Sequence, residues 1–263
     1  MIYIRMLTHY LRRDIKLNNV EELFHKLEQE FRITLTSEQQ EIVRTTDCPL
    51  CTIAAPGSGK TLAYVVRIAN LILIEGIKPE QILALTFSRA SAKDMEDRFL
   101  RLFGDLVKGQ VHFSTIHSFA LQVVFQYQQK TGEQYTVLEG KETPENKFKV
   151  LKDIYQTINS TMPTEEKVEE LANAIGFVKN MMLKPTDVAK LRKYRFDVEN
   201  FISIYQEYES FKEQNHYIDY DDMLAKALEI LQTDSDILQE YRQKYTHIQL
   251  DEGQDTSKIQ YGI

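Results

Sequence analysis

Residues 54–61, Ala-Ala-Pro-Gly-Ser-Gly-Lys-Thr, join two apolar stretches and constrain the fold more than any other segment. The two glycines let consecutive backbone N–H groups curl around an anion, and a helix that starts after them adds partial positive charge. The pattern predicts a strand over residues 49–55 and a helix over residues 60–75, ended by Gly76. A glycine loop between a strand and a helix is typical of a phosphate-binding site.

Further strand–helix units follow along the chain. The predicted strands cover residues 82–87, 111–115 and 247–251, and the helices between them cover residues 91–103 and 116–127. Strands that alternate with helices indicate an α/β fold with a parallel sheet and helices on both faces. Residues 128–215 lack a clear strand pattern and are predicted to be an all-helical insertion that interrupts the sheet domain.

The chain opens on a stretch, residues 1–30, that precedes every motif. Apolar residues recur there at helical spacing, after Asn18 or Asn19 as a cap and with Glu21 and Glu22 in the first turn. One interpretation is a helix that docks on a partner. The favoured interpretation is a helix packed on its own domain.

The composition of the 263 residues is that of a globular protein, with 43% hydrophobic and 27% charged residues. The formal net charge of -7 argues against binding of nucleic acid through one broad basic face, but a narrow groove can have a local field of its own. The apolar stretches fall far short of the roughly 20 residues that a membrane span needs, and the N-terminus does not resemble a secretory signal. The sequence therefore predicts a cytoplasmic chain with no membrane partner.

Cys48 and Cys51 form a C-x-x-C pair just before the phosphate loop. Zinc would need about two more ligands close by, and a redox pair would need to stand at the start of a helix. This pair leads into a predicted strand instead. We therefore interpret the two residues as ordinary loop and core cysteines, which suits a reducing cytoplasm.

A second motif, Ile-Gln-Leu-Asp-Glu-Gly-Gln-Asp-Thr over residues 248–256, ends the last predicted strand. A carboxylate at this place can hold Mg²⁺, a role that falls to Asp251 together with the hydroxyl of Thr61. Glu252 is the candidate general base for an attacking water, and Lys60 the candidate charge on the β- and γ-phosphates. The candidate nucleotide-binding residues of the loop are Ala55, Pro56, Gly57, Ser58, Gly59, Lys60 and Thr61.

With both motifs placed, the chain resembles UvrD/Rep/PcrA-type superfamily 1 DNA helicases from about Leu35 to its end. The resemblance implies a RecA-like P-loop sheet that uses ATP and Mg²⁺. The segment that begins at Leu35 resembles the family's Q motif, which makes Gln39 the candidate reader of adenine, because an amide can pair with both N6 and N7 of the base. Gln254 stands where the family senses the γ-phosphate and joins Glu252 and Lys60 as a candidate catalytic residue.

Two more segments resemble those that line the single-stranded DNA groove of the family, motif Ia over residues 82–92 and motif Ib over residues 114–119. The candidate DNA-binding residues are Thr86, Phe87, Ser88, Thr115, His117 and Ser118. Hydroxyl groups and rings suit contacts with DNA that do not depend on base sequence, although taken alone such runs are ordinary strand ends. The implied partners are single-stranded DNA and junctions of single- and double-stranded DNA.

The family's organisation divides the chain into four segments. They are an N-terminal helical extension over residues 1–30, the first part of RecA-like domain 1A over residues 31–127, helical subdomain 1B over residues 128–215, and a return to domain 1A over residues 216–263. The segment from Asp219 to Asp222 resembles one that brings the family's chain back from the insertion.

The chain departs from the family pattern at Ala54, Leu62, Ser88-Arg89 and Gly253. It ends shortly after the acidic motif, before the sensor strand of motif III and before the second domain, 2A, which completes the ATP site in the family. We therefore expect the front part of a 3′–5′ DNA helicase or translocase, with little turnover of its own. The alternatives are the front part of a helicase–nuclease and a non-catalytic module that binds nucleotide or DNA.

Overall fold

The computed structural model describes residues 17–55, 57–139, 145–194 and 196–263. Pro56 of the phosphate loop and the first sixteen residues of the predicted extension lie outside the described residues. The chain forms two compact units. The first consists of the residues up to Thr115 together with Arg242–Gly253, and the second of Ile116–Tyr241 together with Gln254–Ile263.

The elements follow one another along the chain in a mixed α/β order. The helices are α1 (Val20–Phe31), α2 (Ser37–Arg44), α3 (Lys60–Leu73), α4 (Arg89–Phe103), α5 (Ile116–Thr131), α6 (Lys147–Asn159), α7 (Glu165–Asn180), α8 (Val188–Lys193), α9 (Phe201–Gln214), α10 (Tyr220–Thr233), α11 (Ser235–Lys244) and α12 (Lys258–Gly262). The strands are β1 (Ile82–Thr86), β2 (His112–Thr115), β3 (Thr136–Val137), β4 (Tyr217–Ile218) and β5 (His247–Leu250). None of the described helices is long and apolar enough to cross a membrane.

The sheet of the first unit has the strand order β2-β1-β5, and both pairings are parallel. Thr86 of β1 pairs with Thr115 of β2, and Leu85 pairs with Leu250 of β5, so the three strands end at the same edge. The predicted α/β fold with a parallel sheet is confirmed. Parallel order places whatever follows each strand, including the acidic motif, at one edge of the sheet.

The predicted strand over residues 49–55 is wrong for the structure as described. Residues 49–55 carry no strand assignment, and Ile53 is 96% exposed. A strand is defined by hydrogen bonds to a neighbouring strand, and an apolar run becomes one only where a neighbour is available. Cys48 precedes this run and Cys51 lies within it; both are free and exposed, so they are loop residues as interpreted, and neither is a core residue.

Helix α1 packs on its own unit, which confirms the favoured interpretation of this segment. Its Leu23 and Leu27 are fully buried in a core that includes Ile68 of α3 and Phe103 of α4. The cap is Asn19, whose Oδ1 accepts a hydrogen bond of 3.0 Å from the backbone N–H of Glu22 and thereby satisfies one free donor of the first turn.

The second unit is mainly helical, and it extends on both sides beyond the predicted insertion of residues 128–215. Its core includes buried side chains of three helices, Leu151 of α6, Leu171 and Ile175 of α7, and Ile204 and Tyr208 of α9. Strands β3 and β4 were not predicted. They pair in parallel over two residues each, which is too short to produce a periodic pattern in the sequence.

A cluster of buried charges lies among the helices of the second unit around Asp219, whose side chain is completely buried. Lys147, Lys179 and Lys212 approach Asp219 Oδ2 at 3.3, 3.4 and 3.7 Å, and the hydroxyl of Tyr208 donates to the same oxygen at 3.1 Å. Burial opposes ionisation of Asp219, but the three lysines hold its pKa well below the ordinary value. The carboxylate is therefore charged in the fold and counterbalances cations from α6, α7 and α9.

Glu139, at the margin of this cluster, should make the stability of the second unit depend on pH. Burial raises the pKa of Glu139 to about 7, with Asp219 adding to the rise and Lys147 opposing it. Between the ordinary carboxyl pKa and about 7 the unfolded chain loses this proton while the fold keeps it, so stability falls as pH rises through this window.

We therefore expect the unfolding midpoint of Glu139→Gln to lie about 2–4 °C above the parent's at pH 8, which corresponds to roughly 1 kcal/mol of stability. At pH 5 the two midpoints should nearly coincide. The check is thermal unfolding followed by circular dichroism at both values of pH. Glu213→Gln, on the exposed surface of α9, is the control and should change neither midpoint. An equal gain for Glu139→Gln at both values of pH would contradict the assignment.

Candidate nucleotide-binding site

The described part of the phosphate loop has the backbone that an anion site requires. Gly57 and Gly59 adopt φ angles of 78° and 79°, in the left-handed region that favours glycine. Ser58 donates its backbone N–H to Ala55 O at 3.2 Å and closes a tight turn. Gly59 caps α3 without a side-chain hydrogen bond, so the first N–H groups of this helix and its dipole remain directed at the loop.

Lys60 and Thr61 are the first two residues of α3 and lie half-buried beside the loop. The Lys60 ammonium donates to Ala54 O at 3.3 Å and therefore stays folded over the loop. A carbonyl oxygen is a weaker partner for an ammonium than a phosphate oxygen is, because a hydrogen bond between two charged groups is about twice as strong. A bound phosphate would therefore compete well for this lysine.

The acidic motif meets the loop at Asp251, directly after β5. Thr61 Oγ1 approaches Asp251 Oδ2 at 3.5 Å across a sequence separation of 190 residues. Asp251 is only 6% exposed, and its backbone N–H continues the sheet by donating to Leu85 O at 2.9 Å. Burial raises the pKa of Asp251; the N–H of Glu252 opposes the rise, as do Lys60 and Thr61 to a smaller extent.

A hydroxyl and a carboxylate are hard oxygen ligands that fit Mg²⁺. No group of three or more His, Cys, Asp and Glu side chains among the described residues could hold a metal ion by itself. Mg²⁺ is usually held by one or two carboxylates and completes its shell with waters and substrate phosphates. A divalent cation would also offset the unfavourable burial of the Asp251 charge.

Glu252 follows Asp251 in a strained conformation. Its φ angle of 55° lies in the left-handed region, which costs a non-glycine residue on the order of 1 kcal/mol or more. Its N–H donates to Asp251 Oδ1 at 3.0 Å, so the turn of the chain at Glu252 also holds the neighbouring carboxylate. Gln254 is exposed and falls in the second unit, and its role as a γ-phosphate sensor stays a prediction.

Gln39, on α2, contacts the phosphate loop, and the sequence did not reveal this contact. Its Nε2 donates to Ser58 O at 2.8 Å, and its Oε1 accepts from the backbone N–H of the cap, Thr36, at 3.0 Å. A Cβ atom added to Gly59 would lie 2.5 Å from Gln39 Nε2, so Gly59 is needed for this close approach as well as for its φ angle. The amide keeps one N–H and one lone pair, which is what pairing with adenine requires.

Four of the candidate DNA-binding residues lie at the strand ends of the first unit: Thr86 and Thr115 end β1 and β2, and Phe87 and Ser88 follow β1. Phe87 is 57% exposed and therefore offers a ring face to solvent. Ser88 caps α4, and its Oγ accepts from Ser91 N at 3.0 Å. Thr86 and Thr115 are buried, and Thr86 Oγ1 donates to Ser88 O at 3.0 Å, so this hydroxyl supports the turn that carries the ring. Their contact with DNA stays a prediction.

His117 and Ser118 stand in the first turn of α5, in the second unit. The His117 ring meets Tyr220 edge to face with 6.5 Å between centroids, and Tyr220 is 45% exposed. Burial lowers the pKa of His117, with the charge of Asp221 opposing, so the ring is neutral at pH 7. A neutral ring beside an exposed tyrosine suits stacking or hydrogen bonding better than attraction to a phosphate.

The first unit thus carries the geometry of a phosphate-loop nucleotide-binding protein, with Lys60, Thr61 and Asp251 brought together at the end of a parallel sheet. Within that class, the UvrD/REP helicase N-terminal domain matches residues 35–263, and the chain belongs to this family. The ATP-dependent helicase family that the sequence resembles is confirmed by this match.

Proteins called ATP-dependent DNA helicase PcrA are among the relatives. The one from Leuconostoc citreum is 29% identical over 231 residues, which cover 87% of this chain and 30% of the relative. The one from Staphylococcus aureus is 29% identical, and the one from Staphylococcus epidermidis 31% identical, each over 87% of this chain and 31% of the relative. The chain thus spans about three tenths of the length of these relatives.

Proposed function

We propose that this chain is the ATP-binding motor part of a 3′–5′ DNA helicase or translocase that acts on single-stranded DNA in repair, recombination or replication. The observation that carries the proposal is the meeting of the loop with the acidic motif, Thr61 Oγ1 to Asp251 Oδ2 at 3.5 Å beside Lys60. A Mg²⁺–triphosphate site needs both a hydroxyl and a carboxylate, and the fold brings these two together across 190 residues. The names of the relatives point to the same activity.

Each residue of the cluster has a separate task in this proposal. The helix N-terminus, the loop N–H groups and Lys60 bind the phosphates, while Thr61 and Asp251 would hold Mg²⁺, which supplies charge neutralisation of the triphosphate. Gln39 pairs with the adenine edge through the free half of its amide. Glu252 accepts the proton of the attacking water, and Gln254 responds to the γ-phosphate.

Single-stranded DNA and its junctions with double-stranded DNA are the proposed second substrate. The exposed Phe87 ring offers a stacking face, and Ser88 lies next to it at the start of α4. Stacking on an aromatic ring tolerates every base and adds about 1–3 kcal/mol per base, so such a site works without a broad basic surface. Phe87 follows β1, and the acidic motif ends the adjacent strand β5. Because the two strands are hydrogen-bonded to each other, a shift at the end of one strand would also displace the end of the other.

The test is ATP hydrolysis by the 263-residue chain with Mg²⁺, with and without a poly-thymidine oligonucleotide, next to the binding of a fluorescent ATP analogue. We expect binding of the analogue to depend on Mg²⁺, and turnover by this chain to be small with or without the oligonucleotide. Glu252→Gln should bind the analogue as the parent does and lower whatever turnover the parent shows by about a hundredfold or more, because the general base is lost.

Two results would contradict this proposal. A parent chain that binds no Mg²⁺-ATP removes the nucleotide site, and unchanged turnover in Glu252→Gln removes this residue as the base. Glu96→Gln, a partly exposed carboxylate on α4 that pairs with Lys93, is the matched control and should change neither quantity.

A further inference from the structure

Helix α3 carries two polar side chains, Arg67 and Asn70, on the face that meets the end of α2. Asn70 is 2% exposed, and its Nδ2 donates to Val43 O at 2.9 Å. Arg67 Nε donates to the carbonyl of Thr45, the residue that caps α2, at 3.0 Å. The last carbonyls of a helix have no partner within it, so α3 supplies the donors that the end of α2 lacks.

These contacts hold a short helix at both ends. At its first turn, Gln39 of α2 is joined to the loop through Ser58 O at 2.8 Å. At its far end, Asn70 and Arg67 bind the carbonyls of Val43 and Thr45, four and six residues after Gln39, or about 6 and 9 Å along the helix. A helix of this length has little freedom to tilt when both ends are bound. The orientation of Gln39 towards a base therefore depends on the bonds at the far end.

Arg67 also reaches the acidic strand. Its Nη1 lies 3.4 Å from Oε1 of Gln249 on β5. Gln249 and Asp251 are two positions apart and share one face of the strand, because side chains alternate along a strand. Gln249 is 9% exposed, so this contact is buried. The guanidinium thus bridges the end of α2 and the strand that carries the proposed Mg²⁺ ligand.

Arg67 donates to a backbone carbonyl and to a side-chain amide oxygen, so these two hydrogen bonds depend on geometry and not on opposite charge. A planar guanidinium presents separate donors in a rigid fork and can reach two acceptors in different directions at once. A lysine has a single nitrogen on a flexible stem and cannot keep the same fork. The residue type therefore points to positioning of the two segments.

We propose that Arg67 is a positioning residue that fixes the base-reading helix α2 relative to the phosphate loop and thereby sets the preference for adenine. This inference rests on the proposed function, since it assumes that the site takes Mg²⁺-ATP and that Gln39 reads the base. Arg67 itself bonds to Thr45 and Gln249 and acts on the base through Gln39.

The experiment compares Mg²⁺-ATP, Mg²⁺-GTP and Mg²⁺-tripolyphosphate as competitors of a fluorescent ATP analogue, for the parent, Arg67→Lys and Gln39→Ala. We expect Arg67→Lys to lower the ratio of ATP to GTP affinity about tenfold, the effect of one misplaced hydrogen bond, and to leave tripolyphosphate affinity within about twofold. Equal losses for all three ligands would mean a merely structural role and would overturn the proposal, as would no loss at all.

A double variant tests whether Arg67 acts through Gln39. Gln39→Ala should abolish most of the preference for ATP over GTP, and adding Arg67→Lys should lower it no further. An additional tenfold loss in the double variant would overturn the proposed route. A parent that binds tripolyphosphate but prefers neither base would overturn the proposed role of Arg67 and leave the phosphate site intact. A parent that binds none of the ligands would contradict the proposed function itself.

Gln249→Met is the second variant, in case Arg67→Lys does not fold. It keeps the bond of Arg67 to Thr45 and removes the one to β5. We expect the ATP-to-GTP ratio to stay at the parent's value and the Mg²⁺ concentration for half-maximal ATP binding to rise severalfold, since β5 carries Asp251. A lower ATP-to-GTP ratio with unchanged Mg²⁺ dependence would overturn the assignment of base preference to the bond with Thr45 and of Mg²⁺ affinity to the bond with Gln249.

Discussion

Lys60→Ala should lower the affinity for Mg²⁺-ATP by at least about a hundredfold, because hydrogen bonds between an ammonium and phosphate oxygens contribute roughly 1.5–3 kcal/mol each beyond their solvent counterparts. In the fold, the ammonium makes a hydrogen bond of 3.3 Å to Ala54 O, which is an ordinary contact of a half-buried loop. The free energy of unfolding should therefore change by less than about 1 kcal/mol. The Lys60→Ala substitution therefore tests ligand binding without disturbing the fold.

The measurement is titration of a fluorescent ATP analogue, with urea unfolding of the same preparations. Lys108→Ala removes an exposed lysine of the same unit and serves as the control for net charge. It should bind the analogue as the parent does. Equal affinity of Lys60→Ala and the parent would remove the phosphate loop from the proposed site, whatever the sequence resemblance.

Asp219→Asn should destabilise the second unit by about 3–5 kcal/mol, the cost of removing one partner from a buried ion pair. The substitution keeps the size of the side chain and can keep the cap of α10, where Asp219 Oδ1 accepts from Asp222 N at 2.7 Å. It removes the charge that faces Lys147, Lys179 and Lys212. The buried ammonium groups then lack part of their counter-charge, so a lysine must lose its proton or water must enter the cluster.

The comparison is with Asp236→Asn on the surface. Asp236 pairs with Lys130 at 2.9 Å, but its side chain is 76% exposed, so that pair should contribute no more than about 1 kcal/mol. Urea unfolding followed by circular dichroism and by tyrosine fluorescence measures both, since the chain has no tryptophan. A result in which Asp219→Asn is as stable as Asp236→Asn would mean that the lysine cluster tolerates the loss by rearrangement.

Local patterns were sufficient wherever a short segment decides its own conformation. Asn19 caps α1, and Gly57 and Gly59 adopt positive φ angles, because side-chain reach and the lack of a Cβ atom act over a few residues. The order of strands and helices also followed from periodicity, which is why the parallel sheet could be predicted. The prediction of a strand over residues 49–55 was wrong, since strand pairing depends on a neighbouring strand and not on the segment alone.

The sequence by itself determined the family, the phosphate loop and the acidic motif, because these lie in contiguous residues whose spacing carries the chemistry. The tertiary structure alone decided that Thr61 faces Asp251, that Gln39 contacts the loop, and that Arg67 bridges two segments of the site. It also decided that the charges around Asp219 are buried together. Contacts between distant residues arise only when the packed core brings their elements together, and no local pattern encodes which polar groups will then share a buried space.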